Sequence, residues 1–177
     1  MRPIAALRVS LLVACAAACG GGGSPLDVTR DDAAPIQTDR LRYTFAAGSP
    51  ARADIAIAFE FTNAGPDTLY FVGCYNGVLP VLQKKQGSAW VTARLIVPPP
   101  CFRLITIPPR TTRADTLPVC YPTSPTTSSC PPWQAEGVDG VYRLWAMGAY
   151  FHYDPVAGGS PVPDSLRISN EFVLELK

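Results

Sequence analysis

Hydrophobic and polar residues alternate with a period of two along several stretches of the chain. The clearest stretch is 54–62, where Ile55, Ile57, Phe59 and Phe61 are separated by Ala, Glu and other small or polar residues. Successive side chains of a strand point to opposite faces, so this pattern predicts a half-buried β-strand. The same alternation marks a second strand at 41–45.

Further strands are predicted at 68–74, 78–85, 89–97, 103–107, 111–119, 140–153 and 165–176. Asn76-Gly77 favours a hairpin between the first two of these segments, and Pro80 favours an edge strand for the second. No segment after residue 38 keeps helical spacing. Many short strands at regular intervals predict an all-β fold, an antiparallel sandwich of about seven to nine strands.

The first 38 residues follow a different pattern. Arg2 and Arg8 precede an uncharged apolar run at 9–18, which has the length of a signal peptide and is too short to cross a bilayer. The glycines at 20–23 cannot continue a helix or a strand, and they indicate a flexible tether. We therefore expect a signal peptide at 1–18, a tether at 19–38 and one domain at 39–177.

Two cysteines lie at the end of this apolar run. Leu12-Val13-Ala14-Cys15 resembles the lipobox of bacterial lipoproteins, and Ala16-Ala17-Ala18-Cys19 resembles it less closely at the aliphatic position. Cleavage before Cys19 leaves a mostly apolar, uncharged run of ten residues from Val9, whereas cleavage before Cys15 leaves six, which is short for a signal peptide. We expect lipidation of Cys19, with Cys15 as the alternative. The resemblance implies a lipid-anchored protein of the cell envelope, on the outer membrane where two membranes exist.

Charge and composition exclude some kinds of partner. Loss of residues 1–18 removes Arg2 and Arg8, so that the net charge falls from +1 to −1. A domain without a basic excess has no electrostatic means of attracting nucleic acid. Nineteen prolines lie mostly in short clusters between the predicted strands and mark the loops.

Four cysteines follow the tether, and an even number in an exported domain favours disulfides over free thiols. The alternative, a zinc site, lacks any Cys-x-x-Cys spacing, and His152 is the only histidine in the sequence. Three pairings are open, of which we prefer Cys74–Cys101 and Cys120–Cys130.

Gly140-Val141-Tyr142 resembles the tyrosine corner of immunoglobulin-like domains, where a tyrosine hydroxyl bonds back to the upstream backbone. This resemblance implies an immunoglobulin-like sandwich over roughly 40–177. The order of Asn63, Trp90, Pro108-Pro109 and Gly140 with Tyr142 is also weakly similar to domains of the bacterial intracellular proteinase inhibitor type. That second resemblance implies the fold and raises protease inhibition as an activity.

Candidate catalytic and metal-binding residues are few. His152 could be oriented by Asp154 on the same strand face, but no Gly-x-Ser-x-Gly motif accompanies it. Asp27, Asp31 and Asp32 match no calcium-loop spacing. We expect neither an enzyme nor a bound metal or cofactor.

The most prominent candidate surface is aromatic. If Tyr142 and Leu144 face the core, the alternate positions of the 140–153 strand form an exposed row: Arg143, Trp145, Met147, Phe151 and Tyr153. A large exposed apolar patch marks a partner or ligand surface, unless a loop covers it or a bulge at Gly148 changes the register.

The sequence thus predicts a membrane-anchored, noncatalytic binding module for a protein or glycan partner. Two alternatives stay open. The first is an envelope protease inhibitor that uses the loop between Cys120 and Cys130, and the second is a carbohydrate-binding module that stacks sugars on Trp145.

Overall fold

A computed structural model describes residues 27–49, 52–73, 77–94, 103–122, 130–154 and 158–177. Its regular structure is twelve strands and one short 3₁₀ helix at Asp164–Leu166. The strands are β1 (Ile36–Thr38), β2 (Arg42–Ser49), β3 (Arg52–Asn63), β4 (Leu69–Gly73), β5 (Val81–Gln86), β6 (Ala89–Thr92), β7 (Arg103–Ile107), β8 (Thr111–Pro122), β9 (Gly140–Trp145), β10 (Ala149–Asp154), β11 (Gly158–Pro161) and β12 (Phe172–Leu176). The all-β prediction is confirmed. Within the described residues no helix has the length and apolarity needed to span a bilayer.

The strands form three sheets. The first contains β1, β3 and β8, and the antiparallel β3–β8 pair extends over all twelve residues of both strands. The second has the order β12-β9-β5-β6, and the third has the order β11-β10-β4-β7. The strand β2 belongs to both of the first two sheets, because Arg42–Phe45 pair in parallel with β12 and Ala46–Ser49 pair antiparallel with β3.

Alternate side chains of the strands meet in one core. Phe45, Tyr142 and Phe172 are fully buried there, and the rings of Tyr142 and Phe172 stack with centroids 6.3 Å apart. Phe61 of β3 meets Phe71 of β4 edge to face at 5.1 Å, which brings the third sheet onto the same core. Burial of large side chains of this kind is the main favourable contribution to folding.

The hydroxyl of Tyr142 donates a hydrogen bond to the backbone carbonyl of Val138, four residues earlier. This is the backbone contact that the Gly-x-Tyr pattern predicts. The neighbouring carbonyls of Glu136 and Gly137 accept hydrogen bonds from the ammonium group of Lys84. Burial lowers the pKa of Lys84, a residue that is only 7% exposed. Its Nζ lies 5.9 Å from the centroid of the Tyr142 ring.

The folded part of the chain begins before the predicted boundary at residue 39. Ile36 is fully buried, and residues 36–38 pair with β3 opposite Phe61 to Phe59. The side chain of Asn170 accepts a hydrogen bond from the Thr38 amide at 2.8 Å. Sequence patterns missed this strand because three residues are too few to show an alternation.

Three sequence expectations about strand pairing are wrong. The strands on either side of Asn76-Gly77 do not form a hairpin with each other, since β4 lies in the third sheet and β5 in the second. Pro80 does not mark an edge strand: it precedes β5, which pairs on both sides with β6 and β9. The fold is also not purely antiparallel, because β2 and β12 run parallel.

Cys120 and Cys130 form a disulfide with a Cα–Cα distance of 5.7 Å, the pairing preferred from the sequence. It joins the end of β8 to the segment that contains Trp133, whose ring packs edge to face on Tyr121 at 5.3 Å. Cys74 and Cys101, with their predicted pairing, lie outside the described residues, as do Cys15 and Cys19.

Candidate binding site beside the Met147–Gly148 turn

The predicted aromatic strand is broken in the middle, and this break defines the candidate site. β9 ends at Trp145 in the second sheet, and β10 begins at Ala149 in the third sheet. Gly148 lies between them with φ of 73°, a backbone conformation that glycine adopts without the steric cost of a side chain. The prediction that Arg143, Trp145, Met147, Phe151 and Tyr153 share one exposed face is therefore wrong.

On the second sheet, Arg143 and Trp90 pack against each other. The guanidinium carbon of Arg143 lies 4.3 Å from the centroid of the Trp90 ring, and the ammonium of Lys85 lies 5.5 Å from the same centroid. Arg143 Nε also donates a hydrogen bond to Gln83 Oε1 at 2.8 Å. Partial burial lowers the pKa of the Arg143 guanidinium. These contacts hold the cationic and aromatic groups in fixed positions on the sheet.

Trp145 makes an equivalent contact with Arg167. The guanidinium carbon lies 5.3 Å from the ring centroid, and Arg167 also forms an ion pair with Asp164. Val81, which pairs with Trp145 across the strands, is 6% exposed although it is not part of the main core. We infer that these side chains cover a small apolar layer on the outer face of the second sheet.

On the other side of the turn, a cleft of about 340 Å³ opens between the N-terminal segment and the third sheet. Its lining includes Phe61, Leu69 and Val162, which are at most 5% exposed and form part of the core. Phe151 lines the cleft and packs against the same core, and Leu166 at its rim is 46% exposed. A mostly apolar cleft of this size can hold a small apolar ligand or one large side chain of a partner.

Asn63 fixes one wall of the cleft. Its side-chain nitrogen donates to the carbonyls of Asp67 at 2.7 Å, Ile107 at 3.0 Å and Pro108 at 3.1 Å. Its side-chain oxygen accepts from the amide of Gly65 at 3.1 Å. One buried side chain therefore joins the turn after β3 to the end of β7, and the wall is ready-made before any ligand arrives.

The opposite wall belongs to the segment before β1. Gln37 Nε2 donates to the carbonyls of Asp31 at 2.7 Å and Ala34 at 2.8 Å, which folds residues 31–37 into a compact turn. Gln37 Oε1 is buried and has no hydrogen-bond partner among the described residues. The two bonds of Nε2 hold residues 31–37 in one conformation beside the cleft.

The remaining predicted residues do not line the cleft. Met147 is 54% exposed at the turn itself. Tyr153 packs on Tyr150 with ring centroids 5.3 Å apart, and His152 is exposed on β10 opposite Ser160 of β11. The described part of the chain holds no group of three His, Cys, Asp or Glu placed to bind a metal ion.

Sequence reasoning missed the cleft because its walls come from segments far apart in the chain. Phe61 and Leu69 read as ordinary strand residues, and residues 32–37 read as tether. The one signal that could have indicated a fixed wall is Asn63 at the end of a strand, since a buried Asn requires several hydrogen-bond partners.

No protein-family model matches this chain, and no curated protein shows significant sequence similarity to it.

Proposed function

We propose that the protein is a bacterial lipoprotein, held at the cell envelope by a lipid on Cys19, whose domain is a noncatalytic binding module. The cleft lined by Phe61, Leu69, Phe151 and Val162 carries the binding part of this proposal. The signal pattern and the cysteine at its end carry the anchoring part. In a bacterium with two membranes, we place the anchor in the outer membrane.

We further propose that the domain is an immunoglobulin-like sandwich. Three features support this. The order β12-β9-β5-β6 matches strands G, F, C and C′ of variable-type domains. The long β3–β8 pair matches strands B and E, and Tyr142 on β9 makes the bond expected of a tyrosine corner. The third sheet is then an addition to the sandwich, and it supplies Leu69 and Phe151 to the cleft.

The chemistry of the cleft favours an apolar group. An apolar group that binds against the aromatic and aliphatic floor is removed from water, and this removal supplies the binding free energy. An aliphatic or aromatic side chain of a partner protein meets this condition.

This site is preferred to the face predicted from the sequence. Arg167 lies over the ring of Trp145, and Arg143 and Lys85 lie over that of Trp90, so these rings are already engaged by cations. A sugar that stacked on those same ring faces would have to displace a guanidinium or ammonium group. The middle of the loop proposed for protease inhibition, 123–129, lies outside the described residues.

Blocking the mouth of the cleft is expected to weaken binding of an apolar probe. Ala64 lies at the rim and is exposed, so Ala64→Trp places a large ring at the mouth without disturbing the core. We expect the fluorescent probe anilinonaphthalene sulfonate to bind the unaltered protein saturably, and to bind Ala64→Trp about tenfold more weakly because the apolar surface is occupied. Fluorescence titration measures both affinities.

Ala114→Trp is the matched control, since Ala114 is also an exposed alanine, on β8, and lines a different cavity and not the cleft. It should bind the probe as the unaltered protein does. Equal probe binding by Ala64→Trp would show that the probe binds elsewhere, and the cleft would lose its proposed role. Mass spectrometry of the mature N-terminus tests the anchor separately: a lipid-modified Cys19 supports it, and an unmodified N-terminus contradicts it.

A further inference from the structure

The turn between β9 and β10 carries a second surface, made of Trp145, Met147 and Leu166, which we call the tip patch. Met147 and Leu166 are 54% and 46% exposed, more than any other large hydrophobic residue of the described chain. The Ala146 amide donates to the Arg167 carbonyl at 2.8 Å, and this antiparallel contact brings residues 147 and 166 beside each other. Two neighbouring exposed apolar side chains beside a tryptophan form an apolar patch of the kind that a partner or a lipid surface covers.

The start of the described chain lies close to this patch. Asp27, the first described residue, lines a groove together with Trp90, Arg143 and Ile168, and Ile168 pairs with Trp145 of the patch. Only eight peptide units separate Cys19 from Asp27. Eight extended residues span at most about 28 Å, so a lipid on Cys19 would keep this side of the domain near the bilayer surface.

We infer that the tip patch rests against the phospholipid headgroups of the membrane that holds the anchor. The residue types fit this surface: tryptophan is a residue that occupies the interface between headgroups and acyl chains, and Met147 and Leu166 add exposed apolar area. The inference rests on the proposed lipid anchor and deepens it by fixing the orientation of the domain.

The ion pairs near the tip patch determine whether it responds to the charge of the lipids or to the apolar interface of the membrane. Arg167 is paired with Asp164, and Lys85 on the same sheet is paired with Glu171 at 3.2 Å. These ion pairs neutralise most of the basic charge, so attraction to anionic lipids is weak and apolar contact with the interface dominates. Contact should therefore form on neutral phosphatidylcholine and resist added salt, unlike the binding of a polybasic surface.

This orientation has a consequence for the cleft. Leu166 belongs to the tip patch and also lines the rim of the cleft. With the patch on the headgroups, the mouth of the cleft opens beside the membrane surface. The cleft would then meet ligands or partner segments that are themselves attached to the membrane.

Tryptophan quenching by brominated lipid tests the inference on the full mature, lipidated protein. We reconstitute it in phosphatidylcholine vesicles with bromine near the top of the acyl chains, and compare the protein with a Met147→Asp, Leu166→Asp double variant. We expect quenching of the unaltered protein, and about twofold or more weaker quenching of the double variant, because carboxylates partition poorly into the interface. Leu104→Asp is the control: Leu104 is 42% exposed on β7, and its loss should leave quenching unchanged.

Equal quenching of the unaltered protein and the double variant would overturn the inference, and so would an equal loss in Leu104→Asp. A lipidated protein that stays on the vesicles without any quenching overturns the orientation and leaves the anchor intact. Mature protein without lipid, found by mass spectrometry of the same preparation, instead overturns the proposed anchor and the inference with it.

Discussion

Replacement of Asn63 by alanine is expected to lower the free energy of unfolding by about 3 kcal/mol, because four hydrogen bonds of a buried side chain are lost. The carbonyl of Ile107 would remain buried without its donor. An unpaired buried carbonyl costs more folding free energy than the loss of a solvent-exposed hydrogen bond. Alanine also leaves a void beside Gly65. Chemical denaturation of the full mature protein measures the change.

Two variants sharpen this prediction. Asn63→Asp keeps the shape but removes the amide donors and places an acceptor against three carbonyls, so it should cost at least as much as alanine. Thr62→Ala changes the neighbouring exposed residue, whose hydroxyl meets that of Thr112 at 3.0 Å, and it should stay within about 0.5 kcal/mol of the unaltered protein. A loss below about 1 kcal/mol for Asn63→Ala would mean that Asn63 does not hold the wall of the cleft.

Alkaline pH is expected to destabilise the fold through two buried tyrosines. Burial raises the pKa of Tyr142 and of Tyr43 well above the usual value, and the carboxylates of Asp139 and Asp39 raise them further. The unfolded chain releases these protons near pH 10, whereas the folded chain keeps them, so stability is complete below about pH 10 and falls as the pH rises beyond it. Each tyrosine contributes a slope of about 1.4 kcal/mol per pH unit, and the two together give a slope of about 2.7 kcal/mol per pH unit.

Denaturation curves at several values between about pH 10 and pH 11.5 measure this slope. Tyr142→Phe and Tyr43→Phe should each remove about half of it, and the double variant should remove most of it. Comparing slopes avoids the separate cost of the lost hydroxyl bonds, which is present at every pH. If the double variant lost stability as steeply as the unaltered protein, other groups would control the alkaline transition.

The alternation of hydrophobic and polar residues predicts those parts of the fold where one face of a strand is buried and the other is exposed to solvent. In β3, Ile57, Phe59 and Phe61 are buried while Glu60 between them is exposed, as the period of two requires. Tyr142 likewise makes the bond that its local motif predicts. These features follow from neighbours in sequence, so a single chain is enough to read them.

Features that depend on distant segments could not be read in this way. The 140–153 stretch looks continuous because both halves are aromatic, and only the structure shows that the Gly148 turn sends the second half into another sheet. Residues 36–38 are recognised as a strand only through their pairing with β3, and Asn170, more than a hundred residues later, bonds to Thr38. The cleft is lined by residues of the segment before β1, of β3 and β4, and of the chain after Gly148, so neither its floor nor its walls could be assigned from the sequence.

Capture from envelope extract tests the central claim most directly. The mature protein, Ala64→Trp and Ala114→Trp are each immobilised, and the retained components are identified by mass spectrometry. We predict that the unaltered protein and Ala114→Trp retain the same component and that Ala64→Trp loses it, because only that variant blocks the cleft. Retention of the same component by all three proteins, or by none of them, would contradict a binding module that works through this cleft.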